Sequence, residues 1–391
     1  MFELDHRLRA LQRQTREWAA DFRALGPRLA VDPDLIRRYT NLPGVRFMST
    51  LLIPPEYDPP VERIKGHRFT AMTAVERVVL MEEFACGDAA VLLACPGASM
   101  SGVLVDLLAD TEQKRRYYHA LLTAPTWTCF ALTEPECGSD AAAMRTSLAQ
   151  APGGYLLTGT KRYIGNGARA SLAVVFARSA PGPLGVSAVL LDTASPGFSA
   201  VPIESVGLRG LQLAALTMDA VPVPDNGLLG RHLSQTRRGM WACLRTFDRL
   251  RPAVAAVAVG VARAAYEYVL ANRSRPDKAE QDRIDLMGAR IEGVRELVRH
   301  AAAAVDRHPS GGYLASAAKA SACRLAEEIT VAACGFFGPT ARLEHPALDR
   351  LVRDARGVEF MEGTRTMQKL HLYQGLLSGK LDRTDPLAVS A

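Results

Sequence analysis

TWTCFALTEPECGSD, residues 126–140, is where the character of the chain changes. Its first eight residues are β-formers, and the remaining seven are turn chemistry built on Pro135, Gly138, Ser139 and Asp140. Downstream, GYLLTGTKRYIG, LAVVFAR, VSAVLLDT, FSAVPI and LTMDAVPVP repeat the theme: short β-rich runs parted by Gly, Pro, Asn and Asp. Strands this close together, with no helical period between them, predict an antiparallel sandwich or barrel over about 126–235. Upstream, Trp18, Phe22 and Leu25 recur at helical spacing, as do Val75, Val78 and Val79. Asp110, with Gln113 three residues on, predicts a capped helix over DTEQKRRYYHALL. From about 236 the helical period returns. Ile284, Met287, Ile291, Val294 and Val298 mark a long amphipathic helix, and the Ala-rich stretch from Leu314 to Cys334 reads as an inner bundle helix. The expected organisation is therefore helices in 1–125, strands in 126–235 and helices in 236–391. Pro309 to Gly312 reads as a turn, and Leu377 onward as a tail.

Composition sets outer bounds. Of 391 residues, 48% are hydrophobic and 23% charged, which excludes the disordered and fibrous classes. Seven cysteines, an odd number without a CxxC pair, suit reduced buried thiols rather than a disulfide framework. Eight scattered histidines offer no HxxxH or HExxH spacing, so no metal site is expected. The net charge of +6 is spread along the chain, with KRR at 114–116 the tightest cluster, so no nucleic-acid tract is read. Those basic residues are either solvated helix faces or an attraction for an anionic partner, such as a phosphorylated nucleotide handle or an acidic carrier protein. No apolar run reaches the roughly 20 residues of a membrane span, and Arg263 breaks off the longest candidate, Pro252 to Ala262. The N-terminus, MFELDHRLRALQRQ, lacks an apolar signal core, and a cytoplasmic location is expected.

Four stretches carry chemistry. In ALTEPECGSD (131–140), Gly138 lets backbone approach a bulky ligand, while Thr133 and Ser139 offer hydroxyls; as a bare turn it reads first as a structural element. GTKRYIGNGARA (159–170) places Tyr163 before a Gly-Asn-Gly turn, where it packs on a flat cofactor or simply on a hairpin. FDRLRPAVAAVAVGVARAA (247–265) has small residues on nearly every face, so a neighbouring helix can come close. In RDARGVEFMEGTRTMQKL (353–370), Glu362 comes directly after Phe360 and Met361. A carboxylate desolvated by such neighbours has a raised pKa and serves as a base near neutrality; the same residue also reads as a helix N-terminal cap.

Together, and in this order, these elements resemble the acyl-CoA dehydrogenase family. The resemblance runs from the MEEFACGD helix at 81–88 to HLYQGLL at 371–377, and its specific parts are the TEPxxGSD turn and the RDAR…EGT pairing. It implies an α+β multidomain fold: an N-terminal helical domain, a middle antiparallel β-barrel and a C-terminal four-helix bundle. It implies FAD held between the last two, and a homodimer or homotetramer. Carried over by motif, Phe130, Leu132, Thr133, Tyr163 and Ile164 lie along the flavin, Gly138 and Ser139 near its pyrophosphate or the substrate handle, and Thr364 and Thr366 approach it after the glutamate. The substrate side is formed by Ser139, Leu250, Arg251, Met361 and Gly363. Glu362 is then the catalytic base: it takes the proton α to the thioester carbonyl while the β-hydride passes to flavin N5. Its backbone N–H helps hold the thioester oxygen.

Some branches carry the base on the 247–265 helix instead, but that place is Leu250, which cannot serve. Three stretches depart from the pattern. Arg273 matches an arginine that reaches a neighbouring subunit's FAD, but the Phe-Gly that accompanies it in the family is absent. A Gln and a Gly-Gly of the next contact loop read Ala332 and GFFG at 335–338, and a Thr often found beside flavin N5 is Gly165. The implied substrate is an acyl thioester on coenzyme A or on a carrier protein's phosphopantetheine arm, with a flavin electron acceptor downstream. Two other readings compete: a monooxygenase on the same fold fed with reduced flavin, against which Glu362 counts, and a catalytically silent assembly protein.

Overall fold

The computed structural model describes residues 2–182, 184–308 and 312–378; the turn and the tail read from the sequence fall largely outside them. The N-terminal part is helical: α1 (His6–Leu29), α2 (Pro43–Ser49), α3 (Ala74–Ala94), α4 (Ser99–Leu108) and α5 (Thr111–Thr123). The first and last of these helices begin as the sequence dictates. Asp5 accepts from the Leu8 N–H at the start of α1, and Asp110 with Gln113 forms the reciprocal capping box of α5. The Trp18–Phe22–Leu25 face is buried, and Phe22 stacks on Phe84 of α3 with ring centroids 4.7 Å apart.

Seven strands come next: β1 (Thr128–Ala131), β2 (Ser147–Ala151), β3 (Gly154–Ile164), β4 (Leu172–Arg178), β5 (Val186–Asp192), β6 (Phe198–Pro202) and β7 (Ala214–Pro224). They form one curled sheet, most of whose pairs are antiparallel. The expected antiparallel sheet is found, with β4 as the exception: β1 pairs with it in parallel, Thr128 against Leu172 through Ala131 against Val175, and β2 touches it in parallel at Ser147 against Arg178. The physical reason is the connection. Between β1 and β4 the chain makes the TEPECGSD turn and the whole β2–β3 hairpin, a crossover long enough to return it in the same direction. The inner face is filled by Leu148, Leu157, Val175, Val189, Leu216 and their neighbours.

The third part comprises α6 (Gly239–Asn272), α7 (Lys278–Arg307), α8 (Gly312–Cys334), α9 (Ala341–Glu344), α10 (Pro346–Glu359) and α11 (Arg365–Leu377). By length and composition α6 could cross a membrane, yet most of it is buried, with α3, α7 and α8 packed around it, as befits a central bundle helix. Its small residues do what the sequence suggests. A Cβ placed on Gly260 would lie 2.5 Å from the Glu82 carbonyl oxygen, so α3 and α6 touch backbone to backbone there. The two acids of MEEF are buried at this crossing. Glu82 meets Arg263 of α6 at 2.7 Å and Arg295 of α7 at 2.8 Å, and Glu83 meets Arg263 and, at 3.0 Å, Arg16 of α1. Four helices are thus tied through two carboxylates.

Candidate active site

Glu362 lies in the turn between α10 and α11, with φ 51°, a left-handed value uncommon for a side-chain-bearing residue; Gly363 is next at 93°. The turn is held from three sides. Gln368 Nε2 donates to the Glu362 and Gly363 carbonyls at 3.0 and 2.9 Å. Lys319 Nζ donates to the Glu359 and Gly363 carbonyls, each at 2.7 Å. The Glu359 carboxylate accepts from the Arg365 N–H at 2.7 Å, at the start of α11, where the Thr364 side chain makes no capping bond. The capping reading of the EGT stretch therefore belongs to Glu359, and Glu362 is left for another task.

Part of Glu362 is open to solvent, but Oε2 is enclosed and has no hydrogen-bond partner among the described residues. Burial pushes its carboxyl up from the ordinary 4.5 to about 8, with Arg251, Lys319 and Arg77 pulling the other way. Near neutrality a minority of such groups are carboxylate, and that minority is a far stronger base than an ordinary glutamate. No described residue accepts from the Glu362 N–H, so this donor is also available to a ligand.

Aromatic and cationic contacts join the base to the sheet. Phe130, on β1, packs against Phe176 and, at 6.0 Å between centroids, against Phe247 of α6. The Arg251 guanidinium lies 5.7 Å from the Phe247 ring, bonds Asp248 at 2.8 Å and approaches His371 Nδ1 of α11 at 3.4 Å. Leu132 joins Cys243 and Phe176 in the same buried cluster, and Leu250 is buried on α6 between Arg249 and Arg251. The structure thus brings Phe130, Leu132, Leu250, Arg251 and the Met361–Gly363 turn to one junction of sheet and bundle.

The TEPECGSD turn is pinned by a residue to which sequence reasoning assigned no role. Glu134 is buried and accepts from the Arg145 N–H at 2.7 Å, the Thr146 N–H at 2.9 Å and Lys161 Nζ at 2.9 Å. Burial alone would raise its carboxyl, but these donors outweigh it and hold it at about 2. Lys161 also donates to the Leu132 carbonyl at 2.9 Å, locking the end of β1 to β3. Immediately beyond, the β3–β7 register shifts between Lys161 and Ile164, and Tyr163 takes φ 62° with its side chain 57% exposed. An exposed aromatic in a strained bulge suits a planar ligand. Ile164 is a correction: its side chain is 3% exposed inside the sheet's inner cluster, because the same bulge turns it inward, so it does not face a cofactor. Gly165 is half-buried, and a Cβ there would meet the Leu211 side chain at 2.9 Å.

Thr133, Ser139, Thr364 and Thr366 are partly or fully exposed, and their hydroxyls bond no described residue, whereas Gly138 has open space around it but for Thr133. Exposed Tyr163, half-buried Phe130, four free hydroxyls and an orphaned carboxylate oxygen fit a flavin with a substrate beside it. Arg273 stands apart. It lies 22 residues beyond Arg251, about 33 Å along a helix, and forms a forked pair with Glu280 at 2.8 and 3.1 Å. Lys319 was also missed; the available signal was a single cation in the apolar run ASAAKASAC.

Comparison with known proteins decides the family. A family model for the acyl-CoA dehydrogenase middle domain matches residues 129–221, and one for the C-terminal domain matches residues 237–377. An acyl-CoA dehydrogenase of Bacillus subtilis is 34% identical over 282 residues, covering 69% of this chain and 73% of its own. The chain belongs to the acyl-CoA dehydrogenase family. It is also 31% identical to a caffeyl-CoA reductase–Etf complex subunit of Acetobacterium woodii, over 78% of this chain and 82% of that one. The fold matches that of butyryl-CoA dehydrogenase from Megasphaera elsdenii with a TM-score of 0.82 and 25% identity, over 96% of this chain and all of the other. As a family member the chain is an oxidoreductase of CH–CH groups in acyl thioesters.

Proposed function

We propose that this chain desaturates an acyl thioester between the α and β carbons, with Glu362 as the base. The observation that carries this reading is the carboxylate itself: enclosed at Oε2, unbonded, raised to about 8, and mounted on a strained turn. FAD, when bound, supplies the two-electron acceptor for the β-hydride. The protein's own part is placement and proton removal. Phe130 and Tyr163 offer the apolar flank, and the hydroxyls of Thr133, Ser139, Thr364 and Thr366 offer the polar one. The Glu362 N–H polarises the thioester carbonyl, which acidifies the α-carbon at the moment the carboxylate takes its proton. Arg251, Lys319 and Arg77 favour the carboxylate against its enclosure.

The handle is coenzyme A or the phosphopantetheine arm of a carrier protein, and a flavoprotein electron acceptor reoxidises the enzyme, a partner class suggested by the relative named as part of an Etf complex. Anaerobic addition of acyl-CoA and acyl-carrier thioesters to the oxidised holoprotein tests the reading. Bleaching of the flavin by one class supports it and names the handle. Absence of bleaching with both, joined to NADH-dependent oxygen uptake in the presence of a flavin reductase, would replace it with the monooxygenase reading.

A further inference from the structure

Lys319 is fully buried on α8, in an otherwise apolar stretch, and no described carboxylate lies within ion-pair distance of it. A cation in such a place is costly unless its donors are used. Its Nζ bonds the carbonyl of Glu359, the last residue of α10, and the carbonyl of Gly363, both at 2.7 Å. The first of these is the negative end of a helix, where a cation is favoured. The two acceptors lie on either side of Glu362, one three residues before it and one directly after. Gly363 O is shared with Gln368, so the carbonyl next after the base is fixed by two donors from two helices, α8 and α11.

We propose, building on the dehydrogenase reading above, that Lys319 is the positioning residue of the base: its ammonium clamps the backbone on both sides of Glu362 and holds the left-handed turn that presents the carboxylate. The clamp works through geometry and charge together. Without it the turn relaxes toward ordinary backbone angles, and Glu362 leaves the line between its own N–H and the substrate α-carbon. The charged groups that bear on the Glu362 carboxyl are Arg251 from α6, Lys319 from α8 and Arg77 from α3, with the thiol of Cys243 on α6 also within electrostatic reach. Removing Lys319 therefore leaves two of three cations in place, and the carboxyl moves further up.

The experiment reads the Glu362 carboxyl directly, by pH titration of its infrared C=O band in the holoprotein as a difference against Glu362→Gln, for wild type, Lys319→Met and Lys319→Arg. Lys319→Met is expected to raise the titration midpoint above the wild-type value and to slow flavin bleaching by about 10- to 100-fold, the scale for a misplaced reacting group. Lys319→Arg keeps the charge and donors and is expected to restore the midpoint and part of the rate. If Lys319→Met does not fold, Lys319→Gln, which keeps an N–H donor and drops the charge, is read in the same way. A folded Lys319→Met or Lys319→Gln protein with an unchanged midpoint and rate overturns the assignment, as does Lys319→Arg being no better than Lys319→Met. If no thioester bleaches the wild type but the midpoint still moves, the dehydrogenase reading fails while the clamp stands.

Discussion

At Glu362 two effects oppose each other, and their balance sets the chemistry. Enclosure favours the neutral acid, whereas Arg251, Lys319 and Arg77 favour the carboxylate. Enclosure wins, and the group titrates at about 8 instead of 4.5. The consequence for stability has a definite sign. Because the folded protein holds this proton more tightly than the unfolded chain, the stabilisation is complete below pH 4.5 and is lost as pH rises through 8. Replacement by glutamine removes that penalty. Chemical denaturation of Glu362→Gln is therefore expected to match wild type near pH 4.5 and to exceed it at pH 9, by on the order of a few kcal/mol. Equal stability at pH 9 would mean that the carboxyl is not enclosed as described. That Glu362 is enclosed agrees with the sequence reading, but Phe360 is not the cause, since it is itself exposed under Arg356. The strain was not legible, since nothing in EGT distinguishes a left-handed glutamate from a capping one.

Among the elements, the crossing of α3 and α6 governs how the site is supported. Gly260 lets the backbones meet, and Arg263 neutralises Glu82 and Glu83 from within. A methionine at 263 fills a similar volume but leaves Glu82 with Arg295, and Glu83 with Arg16 and the neutral donor Gln12. Breaking a buried pair in this way costs about 3 to 5 kcal/mol, and the denaturation midpoint of Arg263→Met measures it. A loss below about 1 kcal/mol, the scale of an exposed pair, would place the burden on the other two arginines. The helices themselves were readable: Ile284, Met287, Ile291 and Val298 are buried on α7 as their spacing predicts. The parallel β1–β4 pair was not, because alternation within a strand carries no information about which strand lies beside it. Likewise, the inward turn of Ile164 depends on a bulge that no residue type in KRYIGNG demands.

Across the whole molecule, sheet and bundle are coupled by a second perturbed acid. Asp354, of the RDAR motif, is buried and accepts from the Leu208 N–H at 2.6 Å, in the loop between β6 and β7. Burial, then repulsion from Asp88, lifts it from 3.8 to about 7. With Glu362 raised as well, the molecule is expected to lose stability steadily between about pH 4 and 8. Asp354→Asn should flatten the lower part of that decline in a thermal-melt series from about pH 5 to 8; an unaltered slope would mean that Asp354 does not contribute to it. The three-part order of helices, strands and helices was legible from periodicity alone, and the motifs supplied the family. What the fold adds is convergence: Phe130 of β1 packs on Phe247 of α6, and Arg251 of α6 and Lys319 of α8 bear on the Glu362 carboxyl in the α10–α11 turn. Exchange of α-hydrogen for solvent deuterium in a thioester too unreactive to be oxidised, read by mass spectrometry, isolates that proton transfer from the redox step. Wild type is expected to catalyse the exchange and Glu362→Gln to lose at least about 100-fold of it, whereas exchange at the wild-type rate in Glu362→Gln would contradict Glu362 as the base.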